Sequence, residues 1–131
     1  MELQTKIATA QLTPVFLNLE KTIEKACSAI LEAGKNGAKL IVFPESFIAG
    51  YPDWVWLYPP HKNNELGALY ARLVENSVSI PDNSTEKLCE AAKEANINVV
   101  MGMNERNAET SNSSLYNTIL FINDLGEILG K

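Results

Sequence analysis

The sequence predicts an α/β fold with parallel strands, and three observations carry that prediction. Residues 6–44 read as strand, helix, strand, and a crossover of this length makes the two strands parallel with a right-handed connection. The second strand, Lys39-Leu40-Ile41-Val42-Phe43, is almost continuously apolar, as in a strand covered on both faces. The chain has 131 residues, 46% of them hydrophobic and 21% charged, which fits one packed domain and not a disordered tail.

The elements follow in order. Lys6-Ile7-Ala8-Thr9-Ala10-Gln11-Leu12 alternates like a strand and is stopped by Thr13-Pro14. Asn18 is a plausible N-cap for a helix whose apolar positions are Leu19, Ile23, Cys27, Ile30 and Ala33, with Gly34 and Gly37 ending it. Residues 48–60 mix aromatics with Gly and Pro and read as an ordered loop. Leu66, Leu69, Tyr70 and Leu73 suggest a second helix. A third, capped by Asn83 or Ser84, carries Leu88, Ala91, Ala92 and Ala95. Strands are expected at residues 98–103 and 115–122, and a last one from Glu127 after the turn residues Asn123-Asp124-Leu125-Gly126. The expected order is β-α-β-α-α-β-β-β, without repeat or linker. The chain stops on Gly130-Lys131 inside that last strand, which would leave backbone groups unpaired, so a truncated domain is expected.

Several function classes are disfavoured. The net charge is −5 and no stretch gathers Lys and Arg, so no nucleic-acid partner is expected. Neither a signal peptide nor a membrane span can be read, and the two cysteines, Cys27 and Cys89, are too few for a disulfide framework or a zinc site. A cytoplasmic setting, with no membrane partner and Asn83 and Asn112 as unmodified loop residues, is the expectation. The first strand–helix turn, Thr13 to Asn18, has no glycine and so lacks the cradle of a dinucleotide-binding turn.

Glu45 is the first candidate for chemistry. It directly follows a buried-type strand, at the carboxyl end where open α/β sheets hold their ligand crevices. Ser46-Phe47-Ile48-Ala49-Gly50-Tyr51-Pro52 behind it would form a largely apolar wall. Desolvation by such a wall disfavours a charged carboxylate, which suits a general base or acid near neutrality. On the residues alone, a strand-end cap or a partner for a surface lysine is the favoured explanation of Glu45.

Six short segments widen the view. Ala10-Gln11-Leu12, Leu40-Ile41-Val42-Phe43-Pro44-Glu45, Gly50-Tyr51-Pro52, Val100-Met101-Gly102-Met103-Asn104-Glu105-Arg106, Leu115-Tyr116-Asn117-Thr118 and Gly126-Glu127-Ile128-Leu129-Gly130-Lys131 together resemble the opening of the nitrilase family, in order and across nearly the whole chain. The resemblance implies that residues 1–131 are the N-terminal part of a single carbon–nitrogen hydrolase domain, a truncated α-β-β-α sandwich. It implies a Glu-Lys-Cys triad acting on a small-molecule nitrile or amide, with Glu45 as the catalytic glutamate and no metal or other cofactor. A thiol needs an adjacent base to become a nucleophile, and a developing negative charge needs a fixed cation, so each role is physically sensible.

The resemblance also marks what is missing. The family's catalytic lysine lies a few residues beyond the Gly-Lys pair, so Lys131 is not expected to serve, and the nucleophilic cysteine lies further on. Cys27 and Cys89, on apolar helix positions, are expected to be structural. Tyr51 and Trp54 are expected to line the substrate pocket, although Trp54 belongs to a run, residues 53–58, that packing or subunit contact would equally explain. His61, in a Pro-rich loop, is expected at the surface. Gly50-Tyr51-Pro52-Asp53-Trp54 looks more like the nitrilase branch than the amidase branches. The expected activity is therefore conversion of a nitrile to a carboxylic acid and ammonia by a homo-oligomeric full-length enzyme. An amidase, a cyanide-hydrating relative, and a truncated non-catalytic module that binds a partner are the alternatives.

Overall fold

In a computed structural model, which describes residues 4–59, 63–107, 109 and 111–131, the chain forms β1 (Ile7–Thr9), α1 (Leu19–Lys35), β2 (Leu40–Val42), α2 (Trp54–Leu57), α3 (Asn63–Glu75), α4 (Asn83–Ala95), β3 (Asn98–Arg106), β4 (Leu115–Ile122) and β5 (Ile128–Gly130). The five strands make one sheet in the order β1-β2-β3-β4-β5. The pairs β1–β2 and β2–β3 are parallel, as the crossover lengths require, while β3–β4 and β4–β5 are antiparallel.

Asn18 does cap α1, its side chain accepting from the Lys21 N–H at 3.0 Å. The helix ends one residue before Asn36, and Gly37, at φ +82°, carries the chain out of it. Gly34 does not end the helix. It lies inside α1, where an added Cβ would sit 2.6 Å from the Ala95 carbonyl oxygen, so it lets the two long helices approach each other. The cap of α4 is also one residue earlier than expected. Asp82 accepts from the Thr85 N–H at 2.9 Å while the Asp82 N–H donates to Thr85 Oγ1 at 2.8 Å, a reciprocal box that neither Asn83 nor Ser84 could build with Thr85. The loop expected over residues 48–60 contains a short helix, α2, and the strand expected at 98–103 continues to Arg106.

Helices α1 and α4 cover one face of the sheet. Ile23, Ala26 and Ile30 of α1 and Leu88 and Ala92 of α4 pack on Ile41, Val99, Met101, Met103, Leu120 and Ile122. A smaller cluster of Leu17, Ala49, Trp54 and Leu73 ties α2 and α3 to the loops. The opposite sheet face carries Val42, Val100, Ile119 and Phe121, none of them fully buried, so the cover on both faces expected of β2 is supplied on one face only. This is one α layer and one β layer of the expected sandwich. Among the described residues no helix is long and apolar enough to cross a membrane.

Candidate active site

The site is made by an interruption in the pairing of β2 with β3. Val42 lies beside Val100, and the chain rejoins β3 where Ile48 lies beside Met103. Six steps along one run, 42 to 48, thus face three along the other, 100 to 103, and the three surplus residues must leave the sheet. Pro44 has no N–H with which to continue the ladder. Ser46 turns the chain with φ +49°. Phe47 drops into the core, its ring 5.1 Å from that of Phe43, and pins the far side of the bulge. Glu45 is the residue left projecting.

Three residues of β3 and β4 fit this bulge. Gly102 lies directly beneath it: a Cβ there would stand 2.1 Å from the Pro44 carbonyl oxygen, so only glycine lets the strand pass so closely. The buried Asn104 side chain donates to the carbonyls of Ile48 at 3.1 Å and Gly50 at 2.9 Å, satisfying two backbone acceptors of the irregular stretch. Asn117 Nδ2 donates to Glu45 Oε1 at 2.5 Å.

Glu45 stands at the edge of a cleft of about 340 Å³ whose other walls include Tyr51, Trp54, Tyr70, Leu73 and Leu115. Tyr51 and Trp54, expected to line the substrate pocket, both border this cleft. Tyr51 is half exposed, whereas Trp54 is nearly buried, its ring meeting the edge of Phe16 at a centroid distance of 5.7 Å. A second hollow of about 290 Å³ opens on the uncovered sheet face, between Val42, Val100, Gly102 and Ile119, and Glu45 and Asn117 border both. The desolvation expected for Glu45 is not supplied by the residues after it. Phe47, Ile48 and Ala49 turn inward and are buried, and Glu45 itself is exposed.

The other candidates lie elsewhere. Lys131 forms an ion pair with Glu105 and borders a separate hollow of about 770 Å³, not the Glu45 cleft. Glu105, nearly buried, also accepts from Thr118 Oγ1 at 2.8 Å. Cys27 and Cys89 are free thiols packed against the helix-side core, away from the cleft. Burial pushes both thiols up; at Cys27 the nearby Lys87 works against it, and at Cys89 Glu86 and Glu90 add to it. His61 lies outside the described residues. Among those described, no three His, Cys, Asp or Glu side chains gather to hold a metal ion. The sequence alone assigns no role to Gly102, Asn104 or Asn117. The signal was a glycine and an asparagine interrupting the apolar β3, and both asparagines lay inside matched segments.

The carbon–nitrogen hydrolase family model matches residues 6–131. The chain belongs to the carbon–nitrogen hydrolase family. It is 36% identical over 126 residues to an arylacetonitrilase of Aspergillus oryzae, covering 96% of this chain and 35% of that protein. It is 40% identical over 131 residues to a nitrilase 2 from an unknown prokaryotic organism, covering 98% of this chain and 40% of that protein. The chain thus spans little more than a third of these relatives. In fold it is similar to an amidase from Nesterenkonia sp., with a TM-score of 0.67 and 21% identity over 96% of this chain and 41% of that one. A mutant of the amidase from Nesterenkonia sp. AN1, similar in fold with a TM-score of 0.70 and 20% identity over 97% of this chain and 42% of that one, has been solved with acrylamide added at its active-site cysteine.

Proposed function

We propose that the whole protein is a nitrilase, converting a nitrile to a carboxylic acid and ammonia, and that residues 1–131 are the N-terminal part of its single hydrolase domain. The observation that carries this reading is the extrusion of Glu45 from the sheet into a cleft with aromatic and aliphatic walls. The nitrilases and arylacetonitrilases among the relatives support a nitrile as substrate.

Glu45 acts as the general base in this reading. A cysteine thiol from the part of the domain outside residues 1–131 gives its proton to the Glu45 carboxylate, and the thiolate adds to the nitrile carbon. Glu45 returns the proton to the nitrile nitrogen, giving a thioimidate. Water then adds, ammonia leaves, and a second water releases the acid from the thioester, so one nitrile and two waters yield one acid and one ammonia. A lysine, also outside residues 1–131, holds the charge that develops on the way. Tyr51 and Trp54 border the space for the nitrile's side group. No cofactor enters any step. Exposed Trp56 and Leu57 on α2 suit a subunit contact in a homo-oligomer, which sedimentation of the whole protein tests. The free thiols Cys27 and Cys89 suit a cytoplasmic setting.

The test is turnover of aryl and aliphatic nitriles, and of the matching amides, by the complete gene product. Acid and ammonia from the nitrile are expected, with Glu45→Gln lowering kcat by about 10²–10⁴-fold. Preference for the amide would identify an amidase, and an amide product a nitrile-hydrating enzyme. Unchanged kcat in Glu45→Gln would remove Glu45 from the chemistry. Residues 1–131 alone are expected to be inactive in the same assay.

A further inference from the structure

The matched segment Leu115-Tyr116-Asn117-Thr118 has no role in the reaction as written above, yet one of its side chains touches the Glu45 carboxylate. Asn117 stands directly opposite Asn104 in the β3–β4 pair, so both side chains leave the sheet on the same face. They meet the bulge at different points. Asn104 holds backbone, through the carbonyls of Ile48 and Gly50. Asn117 holds the carboxylate itself, through Glu45 Oε1.

The Asn117 amide is oriented from its other end. The hydroxyl of Ser46, a buried residue held in the left-handed region, donates to Asn117 Oδ1 at 3.5 Å. With Oδ1 so engaged, Nδ2 is the atom turned toward Glu45. The opposite orientation would set two oxygen acceptors against each other, since an ionised carboxylate only accepts. Donation to a charged acceptor is among the stronger hydrogen bonds, and here it falls on one oxygen of the two. Oε2 has no hydrogen bond among the described residues.

We infer that Asn117 is a positioning residue that fixes Glu45 through Oε1 and leaves Oε2 as the oxygen that takes and returns the proton. The inference rests on the reading of Glu45 as general base. Without the amide, an exposed glutamate on a bulge can swing about its side-chain bonds, and the base is in register with a thiol for a smaller fraction of the time. Asn117 also borders the cleft and the hollow on the uncovered face, so it forms the partition on which the carboxylate leans.

The experiment uses the complete gene product with a nitrile substrate. Asn117→Ala removes the donor, and Asn117→Leu removes it at nearly constant shape and charge. Both are expected to lower kcat by about 10–10²-fold, with KM within threefold and the melting temperature unchanged, because Asn117 is exposed and bears on orientation. In a Glu45→Asp background the shorter carboxylate is out of the amide's reach, so Asn117→Ala should cost less than about twofold there. Wild-type kcat in either Asn117 variant, or an equal loss in both backgrounds, overturns the inference. An equal loss accompanied by a lowered melting temperature assigns Asn117 to structure alone. The two readings separate cleanly. An active Glu45→Gln removes the general base, whereas an inactive Glu45→Gln beside a fully active Asn117→Ala removes only the positioning role.

Discussion

The two faces of the sheet are built from the same strands and differ in almost everything else. Along β4, Thr118, Leu120 and Ile122 point to the helices and are buried, while Asn117, Ile119 and Phe121 point the other way and are exposed. The helix side is a finished core, with Met101, Met103 and Leu120 at 0% exposure. The other side holds the irregular stretch, the projecting carboxylate and two hollows that share Asn117. Stability is concentrated on one face and the candidate chemistry on the other, so substitutions two atoms of backbone apart should act on different quantities.

The largest expected stability effect tests the finished face. Leu120→Ala should lower the unfolding free energy by about 2–5 kcal/mol in urea titration, since a buried side chain is lost and the cavity cannot fully collapse. A loss below 1 kcal/mol would mean that the helix layer does not dominate. Next comes Gly102→Ala, which belongs to the open face but drives a methyl into the Pro44 carbonyl. A loss of about 1–3 kcal/mol is expected from overpacking, together with lower kcat in the whole protein as Glu45 is displaced. Loss of stability without loss of kcat would uncouple the bulge from the chemistry. Asn104→Ala should also cost about 1–3 kcal/mol, because two carbonyls of the bulge lose their donor. The smallest effect is Ile119→Thr on the open face of β4, within about 0.5 kcal/mol for residues 1–131, since Ile119 is already half exposed. Self-association of residues 1–131, expected from the exposed Ile119 and Phe121, should fall in the same variant when followed by sedimentation.

The cysteines probe the same division by a different route. Both belong to the helix side, and burial raises both pKa values, so the reactive thiolate fraction at a given pH is smaller than for a free thiol. Labelling with a thiol reagent at pH 8 should be slow in the folded chain and accelerate when urea is added or the pH is raised. Fast labelling of Cys27 in the folded state would show that α1 does not stay on the sheet.

The contrast also explains what could be read from residues alone. The helix side was legible because burial imposes a period. The spacing of Ile23, Ile30 and Ala33 on α1 and of Leu88, Ala91 and Ala92 on α4 marks the faces that the structure buries. Errors there were local: Asp82 caps α4 because Thr85 can answer it, and Gly34 serves helix contact where termination was expected. The site was harder. The position of Glu45 after β2 could be seen, but its surroundings could not. The apolar residues behind it turn into the core, and its partner Asn117 comes from 72 positions away. No periodicity announces a hydrogen bond between a bulge and a strand that distant. The pairing of β3 with β4 brings them together, and the resemblance, which includes both segments, assigned a role to Glu45 and none to Asn117.

The bulge has a practical meaning for altering the protein. The chain touches β3 again at Ile48 through a single bridge, so residues Pro44 to Phe47 form a cassette held between β2 and that bridge. Its fastenings are the Phe47 ring, the Gly102 gap and the two asparagines. A replacement cassette that keeps Phe47 and the left-handed turn at position 46 could carry a different reactive group to the same point in space. The sheet would then work as a mounting rail, and the reactive side chain as an exchangeable fitting.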